Sequence, residues 1–196
     1  GGVALDAPTV ADVRLDGPSP GVLRVRLADQ GDDTALVSFA LAADDGAYLG
    51  LGERFDAVDA KGRIVPMFLA LDASRESGTN DAHVPVPFFV DTKGYGVFVA
   101  SREAGAVDVA ATDQETVRAT FEGRSLEVRL YVPATAEPLD AVAAYTKDTG
   151  LPRRPPLWSL APMHWRNEWP DAATLLDDLD SYRSLHIPAS TVWIDN

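Results

Sequence analysis

The chain has 196 residues, 46% of them hydrophobic, and no cysteine; this is enough to bury one good core, while disulfides and thiolate metal sites are excluded. A net charge of −13 repels phosphate backbones and anionic membrane surfaces, so neither nucleic acid nor a membrane is an expected partner. No apolar run approaches the roughly 20 residues of a membrane span, no secretory leader pattern opens the chain, and it begins Gly1-Gly2 without an initiator Met, as expected of a processed or excised piece.

From the N-terminus to about Leu36 the pattern is one of short alternating runs broken by turn signals: VADVRLD, GPSPG, VLRVRLAD and QGDD. Val22, Arg24 and Arg26 alternate imperfectly with Leu23, Val25 and Leu27, as in a half-buried antiparallel strand. ALVSFALA, GYGVFVAS, AVDVAAT, TVRATFE and SLEVRLYVP follow at regular intervals, and repeated strands at such spacing predict a β-sandwich or barrel. The first domain is therefore expected to be all-β.

Two glycine-containing stretches invite other readings. GLGERF at 50–55 lacks the further glycine and lysine of a phosphate loop, and Glu53 would oppose a phosphate; a tight turn with Glu53 and Arg54 ion-paired is the better reading. GYG at 94–96 reads as a hairpin turn. The stretch 55–84 is long for a connection, carries Asp56, Asp59, Asp72, Glu76 and Asp81 and contains the run SGTN. Such loops are functional or simply solvated.

EPLDAVAAYTKDTGLP predicts one amphipathic helix, with Pro138 near its first turn and Gly150 at its stop. LPRRPP then forms a stiff linker. Beyond it, Trp158 to Pro162 and Thr191 to Ile194 are short apolar runs, and Leu175, Leu176, Leu179, Tyr182 and Leu185 recur between them at helical spacing. Asp171 is placed to cap that helix, Arg183 and His186 fall in its last turn, and Pro188 lies just beyond. This is a βαβ unit, which needs further strands and covering helices to make a finished fold. Its Leu and Trp faces would be exposed if it stood alone, so instability of an isolated remnant is expected.

Sites in α/β proteins gather at the C-terminal ends of parallel strands. Asp195 and Asn196 fall at one such end, and His164, Trp165, Arg166, Asn167, Glu168 and Trp169 at the other. Indoles, a guanidinium and carboxylates around one opening suit a sugar ring, whose C–H faces stack on aromatics and whose hydroxyls take charged partners. The same residues could instead only hold a loop down. A carboxylate straight after the apolar run VWI is costly unless used, which singles out Asp195. The histidines at 83, 164 and 186 show no metal-ligand spacing. His186 suits a cation at a helix end, and His164 a packing or hydrogen-bonding role.

LGLGERF (49–55), VPVPFFVDTKGYGVFV (84–99), PPLWSLAPMHW (155–165) and IPASTVWIDN (187–196) together resemble glycoside hydrolase family 31, the α-glucosidase and α-xylosidase family. The resemblance covers roughly Leu49 to Asn196. It implies a mostly β chain: a galactose-mutarotase-like antiparallel β-sandwich over 1–136 with loop 55–84 reaching the active site, a helix and linker over 137–154, and over 155–196 the truncated βαβ start of a (β/α)8 catalytic barrel. It also implies a retaining hydrolysis of α-linked sugars by two carboxyl groups, both on later barrel strands, so that no catalytic residue is assigned within these 196 residues and the chain alone is expected to be inactive. Asp195 matches the aspartate that hydrogen-bonds the non-reducing-end sugar, Asp72 in LALDAS matches a loop aspartate at the leaving-group subsite, and Arg166 matches an arginine of the first-strand loop. The family often has an aromatic next, where this chain has Asn167. The substrate-binding set implied is Asp195, Asp72, Arg166, Trp165 and Asn167, the partners are an α-linked oligosaccharide or glycoside and the rest of the barrel, and no metal or organic cofactor is called for. The competing reading is a carbohydrate-binding or structural β-sandwich module that catalyses nothing.

Overall fold

The computed structural model describes residues 11–29, 36–54, 56–69 and 84–194. Of the sequence readings, Asp72, Glu76, Asp81, His83, Asp195, Asn196 and the SGTN run lie outside the described residues. The chain divides between Gly150 and Leu151 into two compact units.

The first unit is a pair of antiparallel sheets. One has six strands in the order β1 (Ala11–Ser19), β2 (Val22–Asp29), β10 (Ser125–Tyr131), β7 (Tyr95–Val99), β6 (Phe88–Asp91) and β4 (Tyr48–Gly50). The other has four, in the order β3 (Leu36–Ala42), β9 (Thr116–Glu122), β8 (Gly105–Val109) and β5 (Arg63–Pro66). Alternation explains the pairing of faces. Val25 and Leu27 on β2, Val97 and Val99 on β7, and Leu126, Val128 and Leu130 on β10 bury against Phe39 of β3, Val107 and Val109 of β8 and Val117, Ala119 and Phe121 of β9, in one continuous core. Arg24 and Arg26 of β2 fall on the other face, where Arg26 Nε donates to Glu127 across the β2–β10 register.

Val22, which broke the alternation in the sequence, has a different use. It is buried on the outer face of the six-stranded sheet with Val90, Tyr131 and Ala141, in a second cluster. Helix α1 (Pro138–Thr149) makes this cluster. Tyr145 of α1 stacks on Phe88 of β6 at 3.8 Å between ring centroids and 7° between planes, and meets Phe98 and Tyr131 edge-on. Tyr131 OH and Arg129 Nη1 both donate to Asp148 in the last turn, each at 2.8 Å.

The GYG stretch is more than a turn. The β6–β7 turn runs from Asp91 to Gly94, closed by the Gly94 N–H on the Asp91 carbonyl at 2.9 Å. Gly94 has φ +98, and a Cβ there would fall 1.9 Å from the Ala136 carbonyl oxygen just before α1. Gly96 lies inside β7, where a Cβ would meet Phe88 at 3.1 Å and Ala141 at 3.4 Å. Both glycines therefore let the sheet and α1 approach closely.

GLGERF is a strand exit with positive φ at Gly50, Leu51 and Gly52. Arg54 closes it by donating to the Leu51 carbonyl at 3.1 Å and the Pro66 carbonyl at 2.6 Å. The 55–84 stretch is not wholly an excursion. Asp59 bridges to Leu49, and Arg63–Pro66 forms β5 at the edge of the four-stranded sheet, paired with β8. Four residues with only Val65 buried carry too little periodicity to show in the sequence.

The second unit is a βαβ unit, but its first strand is not the apolar run from Trp158 to Pro162: Leu157–Leu160 forms a 3-10 turn, and the strand follows over residues expected beyond its end. Strands β11 (Met163–Arg166) and β12 (Thr191–Ile194) pair in parallel and are joined by α2 (Ala172–Ser184). Asp171 caps α2, its Oδ1 accepting the Thr174 N–H at 2.7 Å and the Thr174 hydroxyl at 2.8 Å, and these bonds hold its carboxyl below the usual range. His186 follows the helix with φ 55, and the Ile187 N–H returns to the Tyr182 carbonyl at 2.8 Å.

Candidate functional site

The candidate site is built on the exit of β11 in the second unit. Strand alternation gives its residues opposite directions. His164 and Arg166 face α2: His164 Nε2 lies 3.1 Å from Asp178 Oδ2, Arg166 Nη2 donates to both Asp178 oxygens at 2.8 and 2.9 Å, and the Tyr182 hydroxyl bonds His164 Nδ1 at 2.9 Å. Asp178 and Tyr182 are four apart, one above the other on the helix. With Nε2 against a carboxylate and Nδ1 against a hydroxyl, the consistent neutral form of His164 carries its proton on Nε2.

Trp165 faces the other way. Its register partner is Trp193 of β12, and both indoles are 55% exposed. Met163 and Ile194 are also exposed, so the two strands carry much uncovered apolar surface.

Past β11 the chain bends at Asn167, which is exposed, and turns back at Trp169. The Trp169 ring stands edge-on to His164 at 5.5 Å, lies 5.3 Å beneath the Arg166 guanidinium, and donates its indole N–H to the Trp193 carbonyl at 3.3 Å. The rim after β11 is thus tied to the end of β12. Of the residues expected to bind sugar, Trp165, Arg166 and Asn167 are adjacent on this rim, with Arg166 turned to the helix and Trp165 away from it. Asp178 and Tyr182 were missed by sequence reasoning. Their signal was present in retrospect: His164 and Arg166 two apart on a strand, Asp178 and Tyr182 four apart on the following helix.

In the first unit the most perturbed carboxyl is Asp91. It is fully buried, its Oδ1 accepts the Lys93 N–H at 2.5 Å and its Oδ2 has no hydrogen-bond partner among the described residues. Burial pushes its pKa up to about 6, the Lys93 N–H opposing and the neighbouring Asp44 carboxylate adding to the rise. Both carboxylates converge over Gly46, where a Cβ would lie 2.5 Å from Asp91 Oδ1 and 2.9 Å from Asp44 Oδ1. Lys61 and Lys93 sit nearby, Lys61 donating to the Asp44 and Gly46 carbonyls and Lys93 pairing with Asp45 at 2.8 Å. The arrangement is a turn-holding cluster. Among the described residues no group of three or more His, Cys, Asp or Glu side chains is placed to hold a metal ion.

Residues 28–108 match the family model described as the glycosyl hydrolase 31 N-terminal galactose mutarotase-like domain. The alpha-xylosidase XylQ of Lactiplantibacillus pentosus is 28% identical over 158 residues, which cover 80% of this chain and 20% of that protein. An alpha-xylosidase of Emericella nidulans is 27% identical over 74% of this chain and 18% of its own length. The chain thus spans about a fifth of the curated relatives it matches. Among solved structures, a cycloalternan-forming enzyme from Listeria monocytogenes in complex with a pentasaccharide substrate superposes with a TM-score of 0.83 at 16% identity, covering 95% of this chain and 24% of that one; at that identity the likeness speaks for the fold. The β-sandwich, the sequence relatives and the family model thus agree in their likeness to the N-terminal galactose mutarotase-like domain of glycosyl hydrolase 31.

Proposed function

We propose that the chain is the N-terminal part of a retaining α-glycoside hydrolase that cleaves α-glucosidic, α-xylosidic or related O-glycosyl bonds. The observation that carries this reading is the run of similarity to alpha-xylosidases across 80% of the chain, which continues past the sandwich matched at 28–108. In this reading β11, α2 and β12 begin a (β/α)8 barrel, a fold of about 250 residues whose sites lie at the C-terminal ends of its strands. By the resemblance, Asp195 and Asp72 are the residues proposed to take sugar hydroxyls; within the second unit Trp165 and Asn167 stand on the β11 rim, and Arg166 supports that rim from the helix side.

Hydrolysis with retention requires a nucleophilic carboxylate and an acid/base carboxyl about 5 to 5.5 Å apart. We assign neither within these residues and place both on later strands. The 196-residue chain accordingly binds and positions but does not catalyse. Positioning is not a small part of the work, because orienting a bound sugar against the reacting groups supplies several kcal/mol of the barrier reduction, on the order of 7 to 11 in well-oriented model systems.

The test compares the full-length protein with the 196-residue chain on aryl α-glucosides, α-xylosides and α-galactosides. Turnover by the full-length protein with none by the chain supports the reading. A full-length protein inactive on all three that still binds α-linked oligosaccharides by calorimetry points instead to a carbohydrate-binding module.

A further inference from the structure

Arg166 stands on the candidate rim, yet its side chain is committed elsewhere. Its Nη2 is shared between the two oxygens of Asp178 at 2.9 and 2.8 Å, and its guanidinium caps the Trp169 ring at 5.3 Å. Asp178 also takes His164 at 3.1 Å, and it is the less exposed partner, 18% against 42% for the Arg166 side chain. Strands of parallel sheets are ordinarily apolar on the face their helices cover. Here that face carries an imidazole, a guanidinium and a carboxylate. An ion pair in such a place does little more for stability than an apolar pair of the same volume, and often less. What the network does supply is direction. A carboxylate fixed on α2 orients two consecutive helix-facing side chains of β11, and through them the indole whose N–H reaches the Trp193 carbonyl at 3.3 Å.

We propose that Asp178 is a positioning residue for sugar binding, holding the β11 rim in register with the end of β12 through Arg166, His164 and Trp169, and that Arg166 acts through Asp178 without touching the sugar. The proposal rests on the α-glycosidase reading above. It assigns the sugar contacts of this rim to the residues beside Arg166, and it makes α2, not the loop alone, the element that sets the rim's geometry.

A double-mutant cycle in the full-length protein tests it, using an aryl α-glycoside that the wild type turns over. If Arg166 works only through Asp178, Arg166→Ala and Asp178→Asn each lower kcat/KM by about 10- to 100-fold, the scale of a rim displaced by an ångström or less. The double variant then falls no further than about 3-fold below either single one, since contacting residues in one network are not additive. Arg166→Lys keeps a charge for Asp178 but not the planar cap on Trp169, so it falls between wild type and Arg166→Ala. Melting temperatures within a few degrees of wild type separate positioning from unfolding, and Asp178→Glu, which keeps the charge, replaces Asp178→Asn should the latter not fold. Losses that multiply in the double variant, or an Asp178 variant within 2-fold of wild type, would each overturn the proposal. A wild-type protein without glycosidase activity instead removes the reading on which it rests, and that is known before any variant is made.

Discussion

Asp91 gives the sharpest test of the energetics of the sandwich. Its carboxyl is fully buried at the β6–β7 turn, and burial pushes its pKa up to about 6 from an ordinary 3.8. A raised acid is one the folded state prefers protonated. Between pH 4 and 6 the folded chain binds more protons at this site than the unfolded chain, so stability falls as pH rises through that window and the loss is complete above it. About two pKa units correspond to roughly 3 kcal/mol at most. Carboxyls held low act in the opposite sense and elsewhere. Asp108 and Asp171, kept down by hydrogen bonds, contribute stability that is present above the ordinary carboxylate range and is lost only on further acidification. Asp91→Asn keeps an oxygen for the Lys93 N–H and removes the charge. The variant should match wild type near pH 4 and exceed it by about 1 to 3 kcal/mol at pH 7.5. Urea unfolding followed by far-UV circular dichroism measures this, with an unchanged denaturant slope as the control for a common unfolded state. The four tryptophans, at 158, 165, 169 and 193, all lie in the second unit, so their fluorescence reports that unit separately. A difference between variant and wild type that does not grow with pH, or a variant less stable than wild type at pH 7.5, would refute the reasoning.

Gly94→Ala should cost about 3 kcal/mol or more, since a left-handed φ costs an L-residue about 1 to 2 kcal/mol and the new Cβ would fall 1.9 Å from the Ala136 oxygen. Gly62→Ala, with φ +77 and nothing within 4 Å of its Cβ, isolates the backbone cost and should lose only about 1 to 2 kcal/mol; equal losses in urea melts would show that close approach to α1 is not what Gly94 serves. Tyr145→Ala removes the ring stacked on Phe88 and should destabilise by about 2 to 4 kcal/mol. Amide hydrogen exchange should then show α1 opening before the sheets, and uniform loss of protection over both would count against a separate outer cluster.

How much of this was legible depended on how far each feature repeats. The longer strands of the sandwich alternate over seven or eight residues, so β2, β3, β9 and β10 were readable from Val25 and Leu27, Val37 to Leu41, Val117 to Phe121 and Leu126 to Leu130. Helix α1 was marked by Pro138 and Gly150 and α2 by Asp171, each a local signal with a local cause. Strand β5 was not readable, because RIVP is too short for alternation and owes its place to pairing with β8, a contact about 45 residues away in the chain. Gly94 and Gly96 looked like turn residues, and only α1 packed over them shows why a side chain is excluded at both. On the candidate rim, Trp165, Arg166 and Asn167 were found as residue types, but a sequence gives no direction to a side chain at a strand end. The Arg166 partner lies on the crossover helix twelve residues on, where an aspartate reads as one more solvated charge.

The placement of polarity in the second unit argues for a division of labour. A helix packed on two parallel strands is ordinarily held by apolar contacts, with its charges turned to solvent. Here the helix-facing positions of β11 are His164 and Arg166, while Trp165 and Trp193 occupy the opposite face and remain exposed. Orientation and burial are thus assigned to different faces of one strand pair. The polar face fixes direction through bonds of 2.8 to 3.1 Å to one carboxylate. Uncovered indoles side by side make little use of themselves in water, and at roughly 25 cal/mol per Å² of apolar area two of them offer several kcal/mol to whatever packs there. In a barrel that partner is the inner layer of the remaining strands, which would complete the core beneath the rim. The strand pair would then be held from both sides, by α2 through Asp178 and by barrel packing against Trp193, leaving Trp165 and Asn167 at the rim to which the proposed reading assigns the sugar.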